Sequence, residues 1–154
     1  MRVPHDAGPL VVHVGNLSDQ VYSMEDDEGW QYLWSVNEGL RLGVINNRLR
    51  VFSLSEAGIT PEMILRQYPD LDEVYALNTD LSRPLLFVAF KGKDQLIDGW
   101  HRLMKAALSG VDELRAYFLT QEEADACLVR RFPPGQGLDW GQPSRAVQCL
   151  QKEL

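Results

Sequence analysis

The segment Gln95-Leu96-Ile97-Asp98-Gly99-Trp100-His101-Arg102-Leu103-Met104-Lys105-Ala106-Ala107 admits few arrangements. A short apolar strand runs into Asp98-Gly99, and the spacing predicts a helix that starts at once, with His101 and Arg102 in its first turn. The first N–H groups of a helix have no partner within it and carry the positive end of the helix dipole. Polar and cationic side chains beside them make a spot that attracts phosphate by charge and by hydrogen bonding. No other segment concentrates chemistry in this way.

Within that helix, Leu103, Met104, Ala107 and Leu108 can form a buried stripe. His101, Arg102 and Lys105 then share the opposite side near the N-terminal end, at spacings of three and four. Gly99 lets a ligand approach the backbone closely. Arg102 offers a planar fork to phosphate oxygens. His101 can donate a hydrogen bond or handle a proton. Asp98 can cap the helix, hold a divalent cation or orient His101. Two readings stand side by side: a phosphate or nucleotide site, and a capped helix with solvated basic residues.

The chain has 154 residues, enough for one domain with a sizeable core, and it is 45% hydrophobic and 24% charged. Its formal charge of -7 argues against broad, non-specific nucleic-acid binding, which rests on neutralising phosphates. Arg83, Lys91, Lys93, Arg102 and Lys105 can still form a local basic patch. Cys127 and Cys149 are too far apart for a CxxC motif and read as free thiols of a reducing compartment. The first residues lack the apolar core of a signal peptide. No apolar run approaches the ~20 residues needed to span a bilayer. The expectation is a cytoplasmic protein with no membrane partner.

Pro9 to Val14 reads as a buried strand. The acidic run Glu25-Asp26-Asp27-Glu28 reads as a solvated loop or a first helical turn. Trp30 to Val36 is aromatic-rich and fits helix or strand. Leu40 to Leu54 is expected to be a hairpin turning at Asn46-Asn47, because apolar residues alternate on both sides. Thr60-Pro61-Glu62 predicts a helix start, and that helix stops at Pro69. A second short helix follows over Asp70 to Leu77, capped by Asp70 or Asp72. Leu85 to Phe90 is an apolar run that predicts a strand buried on both faces. A turn at Lys91 to Asp94 returns the chain through Gln95 to Ile97. The helix after Gly99 stops near Ser109-Gly110. Glu113 to Leu119 predicts another strand, and Thr120 caps a helix with Glu122 and Glu123 in its first turn. Arg131 to Gly141 is expected to be an irregular arm, and Ser144 to Leu150 a last short helix.

Other candidates are weaker. Asp72 and Glu73 could supply a base or a metal ligand, but capping is the simpler account. Thr79 and Arg83 lie on the approach to the strand at Leu85 and are candidate phosphate or base contacts. His13 reads as a core histidine, and His5 sits at the terminus. Trp30, Trp34 and Trp140 read as core or interface anchors, and Arg130-Arg131 as a solvated pair.

Leu96-Ile97-Asp98-Gly99-Trp100-His101-Arg102, framed by the strands at Leu85–Phe90 and Leu114–Leu119 and the helix around Met104–Ala107, resembles the core of the ParB/sulfiredoxin superfamily. Val51 to Leu54 and the helix from Pro61 resemble its upstream elements. The resemblance implies an α/β (α+β) fold: a small mixed sheet flanked by helices, with residues 50–128 as core. Residues 1–49 would be an N-terminal extension packed on the same domain, and 129–154 a C-terminal arm. In partition proteins of this superfamily a Gly-x-x-Arg segment grips the phosphates of a nucleoside triphosphate, and Gly99 and Arg102 match that pattern. Sulfiredoxins need a Cys where this chain has Trp100, so their chemistry is not implied. Partitioning needs a downstream helix-turn-helix and dimerisation segment, for which few residues remain. The small plasmid fertility-inhibition proteins of this fold are similar in size.

The resemblance thus implies a nucleotide-binding phosphohydrolase (NTPase, DNase or both), with a non-catalytic binding or inhibitory module and a small-molecule kinase as alternatives. Asp98, His101 and Arg102 would be catalytic. Gly99, Arg102, Lys105, Thr79 and Arg83 would bind ATP or CTP, and Asp98 would hold Mg2+. Partners would be a nucleotide, DNA, and a protein partner or a second copy.

Overall fold

A computed structural model describes residues 20–135. The segments around Pro9–Val14 and Ser144–Leu150, and with them His5, His13, Trp140 and Cys149, lie outside the described residues. The chain is mixed α+β and divides into two compact units, residues 43–119 and a second that joins residues up to 42 with those from 120.

In the second unit, β1 (Val21–Glu25), β2 (Gln31–Ser35) and β7 (Leu128–Phe132) form an antiparallel sheet in the order β1-β2-β7. The acidic run is the end of β1 and the hairpin turn, not a helix start. Asp26 organises that turn: its Oδ1 accepts from the backbone of Glu28 and Trp30, both at 2.9 Å, and its Oδ2 from the Tyr32 hydroxyl at 3.0 Å. The aromatic segment resolves as strand β2, with Tyr32 and Trp34 stacked at 5.6 Å on one face. Arg131 and Phe132, expected in an irregular arm, belong to β7 and pair with Tyr32 and Gln31. The Arg131 guanidinium lies 4.4 Å from the centre of the Trp30 ring, a contact that a strand register can supply and composition does not reveal. Helix α6 (Gln121–Cys127) packs on β2 and opens with a capping box between Thr120 and Glu123.

Helix α1 (Val36–Ile45) overturns the expected Leu40–Leu54 hairpin. Leu40, Leu42 and Val44 alternate, but Val36, Gly39 and Gly43 also recur at helical spacing and are the buried positions. Asn46-Asn47 does mark a stop. Asn47 takes φ +55°, its N–H bonds Val44 C=O, and Arg48 N–H bonds Gly43 C=O at 2.9 Å. That is a Schellman ending, with Asn in the left-handed position that glycine usually fills. The chain then enters β3 (Leu49–Ser53).

In residues 43–119, the four-stranded sheet has the order β3-β6-β4-β5, with β4 (Leu85–Phe90), β5 (Lys93–Asp98) and β6 (Glu113–Leu119). β3 and β5 run antiparallel to their neighbours, and β4 and β6 are parallel. Leu85, Leu86, Phe87 and Val88 are all buried, so the apolar run is covered on both faces. Each such side chain contributes roughly 1.5–3 kcal/mol. Phe87 and Phe118 stack at 4.7 Å across the parallel pair, and Phe52 of β3 joins them.

Helices α2 (Leu54–Ala57), α3 (Pro61–Gln67), α4 (Glu73–Leu77) and α5 (Trp100–Ser109) complete this unit. Leu54, Ile64, Leu71, Ala76, Leu103, Met104 and Ala106 close one core with Leu85, Phe87 and Leu96. Thr60 caps α3 as expected, with Pro61 in its first turn, and Asp72 caps α4. Lys91 and Gly92, at φ +51° and +78°, make the tight turn between β4 and β5.

Candidate functional site

The site grows from the point where β5 becomes α5. A bulge in the β4–β5 ladder, between Leu86 opposite Asp98 and Phe87 opposite Leu96, sets the end of the strand. Gly99 follows at φ +111°, and α5 begins. Asp98 is not the cap. Gly99 holds that position and, having no side chain, makes no cap hydrogen bond to the first N–H groups of α5.

Asp98 turns inward. Its Oδ2 accepts from Arg102 Nη2 at 3.0 Å, and both residues are buried. Arg102 therefore does not share a solvated face with His101 and Lys105. It lies with Leu103 and Ala106 on the covered side, while Leu108, expected in the buried stripe, is 44% exposed. The stripe is rotated because an ion pair four residues apart, held over the end of the strand, fixes the helix on that side. Gly99 is required by this packing: a Cβ there would meet Leu85 Cδ2 at 2.5 Å and Arg102 Nη2 at 3.0 Å.

His101 lies half-buried between two rings, Tyr75 at 4.7 Å and Tyr68 at 5.8 Å, both near edge-on. Burial pushes its pKa below the usual histidine value, against the charge of Asp72, which favours the protonated form. Neutral imidazole can accept as well as give a proton. Trp100 stands next to Tyr68, and its indole N–H is buried with no acceptor among the described residues. The two tyrosines were not singled out in the sequence. The available signal was Pro69, which stops α3 directly after Tyr68, and the Asp72 cap, which sets the phase of Tyr75.

Lys105 belongs to a second cluster. Its Nζ donates to Thr79 C=O at 2.6 Å, and the Thr79 hydroxyl donates to Ala76 C=O at 2.7 Å. Asp80 accepts from the Ser82 hydroxyl and backbone, which hold its carboxyl below the usual range, and the charges of Arg83 and Lys105 act in the same direction. The structure thus brings Thr79, Arg83 and Lys105 together, and separately joins Asp98, Gly99 and Arg102. Helix α5 carries both groups.

The donor set does not suit Mg2+ at Asp98. That carboxylate is buried against a guanidinium, and among the described residues no group of three or more His, Cys, Asp or Glu side chains could hold a metal ion. Among these residues, too, no helix is long and apolar enough to cross a membrane. Comparison with protein-family models, curated proteins and solved structures finds no match for the chain.

Proposed function

We propose that this is a phosphate-binding domain of ParB/sulfiredoxin type, cytoplasmic, that takes a nucleoside triphosphate, ATP or CTP, at the start of α5. One observation carries the reading: the helix leaves β5 through Gly99, whose lack of a side chain leaves the first N–H groups without a cap hydrogen bond from that position. The amides of Trp100 and His101 would grip phosphate, and His101 would move a proton during hydrolysis. Arg102 takes a role other than the one its motif suggests. It neutralises Asp98 beside the helix start, so that carboxylate repels an incoming phosphate less, and it is a positioning residue. Lys105 braces the Thr79 loop, and exposed Arg83 is left to meet a phosphate tail or DNA.

A second reading, a non-catalytic binding module of the same fold, is favoured by the Asp98–Arg102 pair itself. The cation best suited to a developing phosphate charge is already neutralised. Thermal shift with ATP and CTP, with and without Mg2+, separates these from no binding at all. A ligand at a hundred times its Kd stabilises the fold by about 2.7 kcal/mol. Binding with phosphate release that His101→Ala abolishes supports the enzyme. Binding without release supports the module. Absence of any shift rejects both.

A further inference from the structure

Strand β3 ends its sheet: it pairs with β6 on one side, and among the described residues no strand pairs with the other. Its exposed face carries Leu49 and Val51, the latter 65% exposed, and the end of α1 adds exposed Val44 and Ile45. Four of the nine large exposed apolar side chains of the described residues fall within these eight positions. Single exposed apolar residues are ordinary, but a cluster on an open strand edge is a template for pairing. Two of the usual protections are missing here. β3 has no proline, and its five pairs with β6 run without a bulge.

The strand is also electrically polarised. Arg48 and Arg50 stand at its start. At its end stand exposed Glu56 and Asp112, whose carboxylate accepts from the Ser53 hydroxyl and the Ser55 amide, both at 2.8 Å. A strand with a basic start and an acidic end is complementary to itself when antiparallel.

We propose that β3 docks a second copy of this chain, edge to edge and antiparallel, about a two-fold axis at Val51. Two four-stranded sheets then join into one. Such a contact is self-complementary, since the same patch serves both copies. Val51 faces its own counterpart, Leu49 faces Ser53, and Arg50 faces Phe52 with Glu56 nearby, each contact made twice. A register centred on Arg50 would set two guanidinium groups against each other. One centred on Phe52 would carry the pairing into α2, which starts at Leu54. The apolar row from Val44 to Val51 meets the same row of the partner along the seam.

Sedimentation and light scattering of the full chain test this. The expected result is a dimer, weakened tenfold or more by Val51→Asp, which is about 1.4 kcal/mol. Arg50→Glu weakens it as well, and the double variant Arg50→Glu/Glu56→Arg restores it. Under mild oxidation Val51→Cys gives a reducible dimer faster than the unmodified chain, while Leu49→Cys does not, because only position 51 meets itself across the axis. Circular dichroism and melting temperature show that each variant is folded. A monomeric wild type overturns the proposal, as does a dimer that Val51→Asp leaves unchanged. Equal cross-linking at 49 and 51 overturns the register. A monomer whose β3 amides resist hydrogen exchange would show that the chain's own terminal segment covers the edge, and this too overturns it.

Discussion

The ion pair of Asp98 and Arg102 fixes more of this molecule than its size suggests. Both groups are buried, so each is costly alone and tolerable only together. Arg102→Met should destabilise the fold by about 3–5 kcal/mol, because it removes the guanidinium that balances a buried carboxylate. The double variant Asp98→Leu/Arg102→Met should recover most of that loss, and urea unfolding of the four proteins measures the coupling. His101 predicts a pH effect. Its folded pKa lies below its ordinary value, so its contribution to stability is complete above about pH 6.5, the unfolded value. As pH falls below that, the unfolded chain takes up a proton that the buried ring resists, and stability declines until the folded pKa is passed. His101→Phe, which keeps a ring beside Tyr68 and Tyr75, should remove this component of the slope as pH falls from about 6.5. An unchanged slope would assign it to other groups.

At the scale of elements, local chemistry was readable wherever one residue type has one use. Thr60-Pro61 and Thr120 with its two glutamates gave helix starts that the fold bears out, and of the two caps expected for the next helix, Asp70 and Asp72, it is Asp72 that caps α4. Gly110 gave a stop, and the apolar run at Leu85 gave a buried strand. The error at Leu40–Leu54 came from residues with two uses. Leucines spaced by two fit a strand, the buried glycines spaced by four fit a helix, and Asn47 can end either. Asn47→Gly should therefore be tolerated or slightly stabilising, while Asn47→Val should cost roughly 1–2 kcal/mol, since a β-branched residue resists φ +55°. Chemical denaturation of the two variants distinguishes them, and equal costs would discard the Schellman account. At the site, the helix start was legible, but the inward turn of Arg102 was not. That direction depends on Leu85 and Gly99, contacts that no spacing along the helix encodes.

For the whole molecule, chain order matters more than composition. Residues 43–119 are contiguous, with hairpins and helices between near neighbours in sequence. The other sheet needs β2 to find β7, with Gln31 opposite Phe132 across about a hundred residues. Contacts so distant form late in folding. Cys127 gives a probe of that step. It is buried behind β2, and its thiol pKa is pushed up to about 12, mainly by burial. Thiolate, the reactive form, is then scarce in the folded protein. In a Cys149→Ser background, pulsed alkylation during refolding should label Cys127 after the amides of β4 and β6 are already protected. Protection of Cys127 first would reverse the order.

The meeting of Leu85, Gly99 and Arg102 has a consequence for how the sequence can drift. A side chain at 99 would strike both neighbours at a φ of +111°, so position 99 is not free to vary alone. A lineage that loses Gly99 must first shorten residue 85 and give up the arginine, and giving up the arginine requires replacing Asp98. Covariation across positions 85, 98, 99 and 102 would then follow from crowding around one missing methyl group, even in descendants that had stopped binding anything at all.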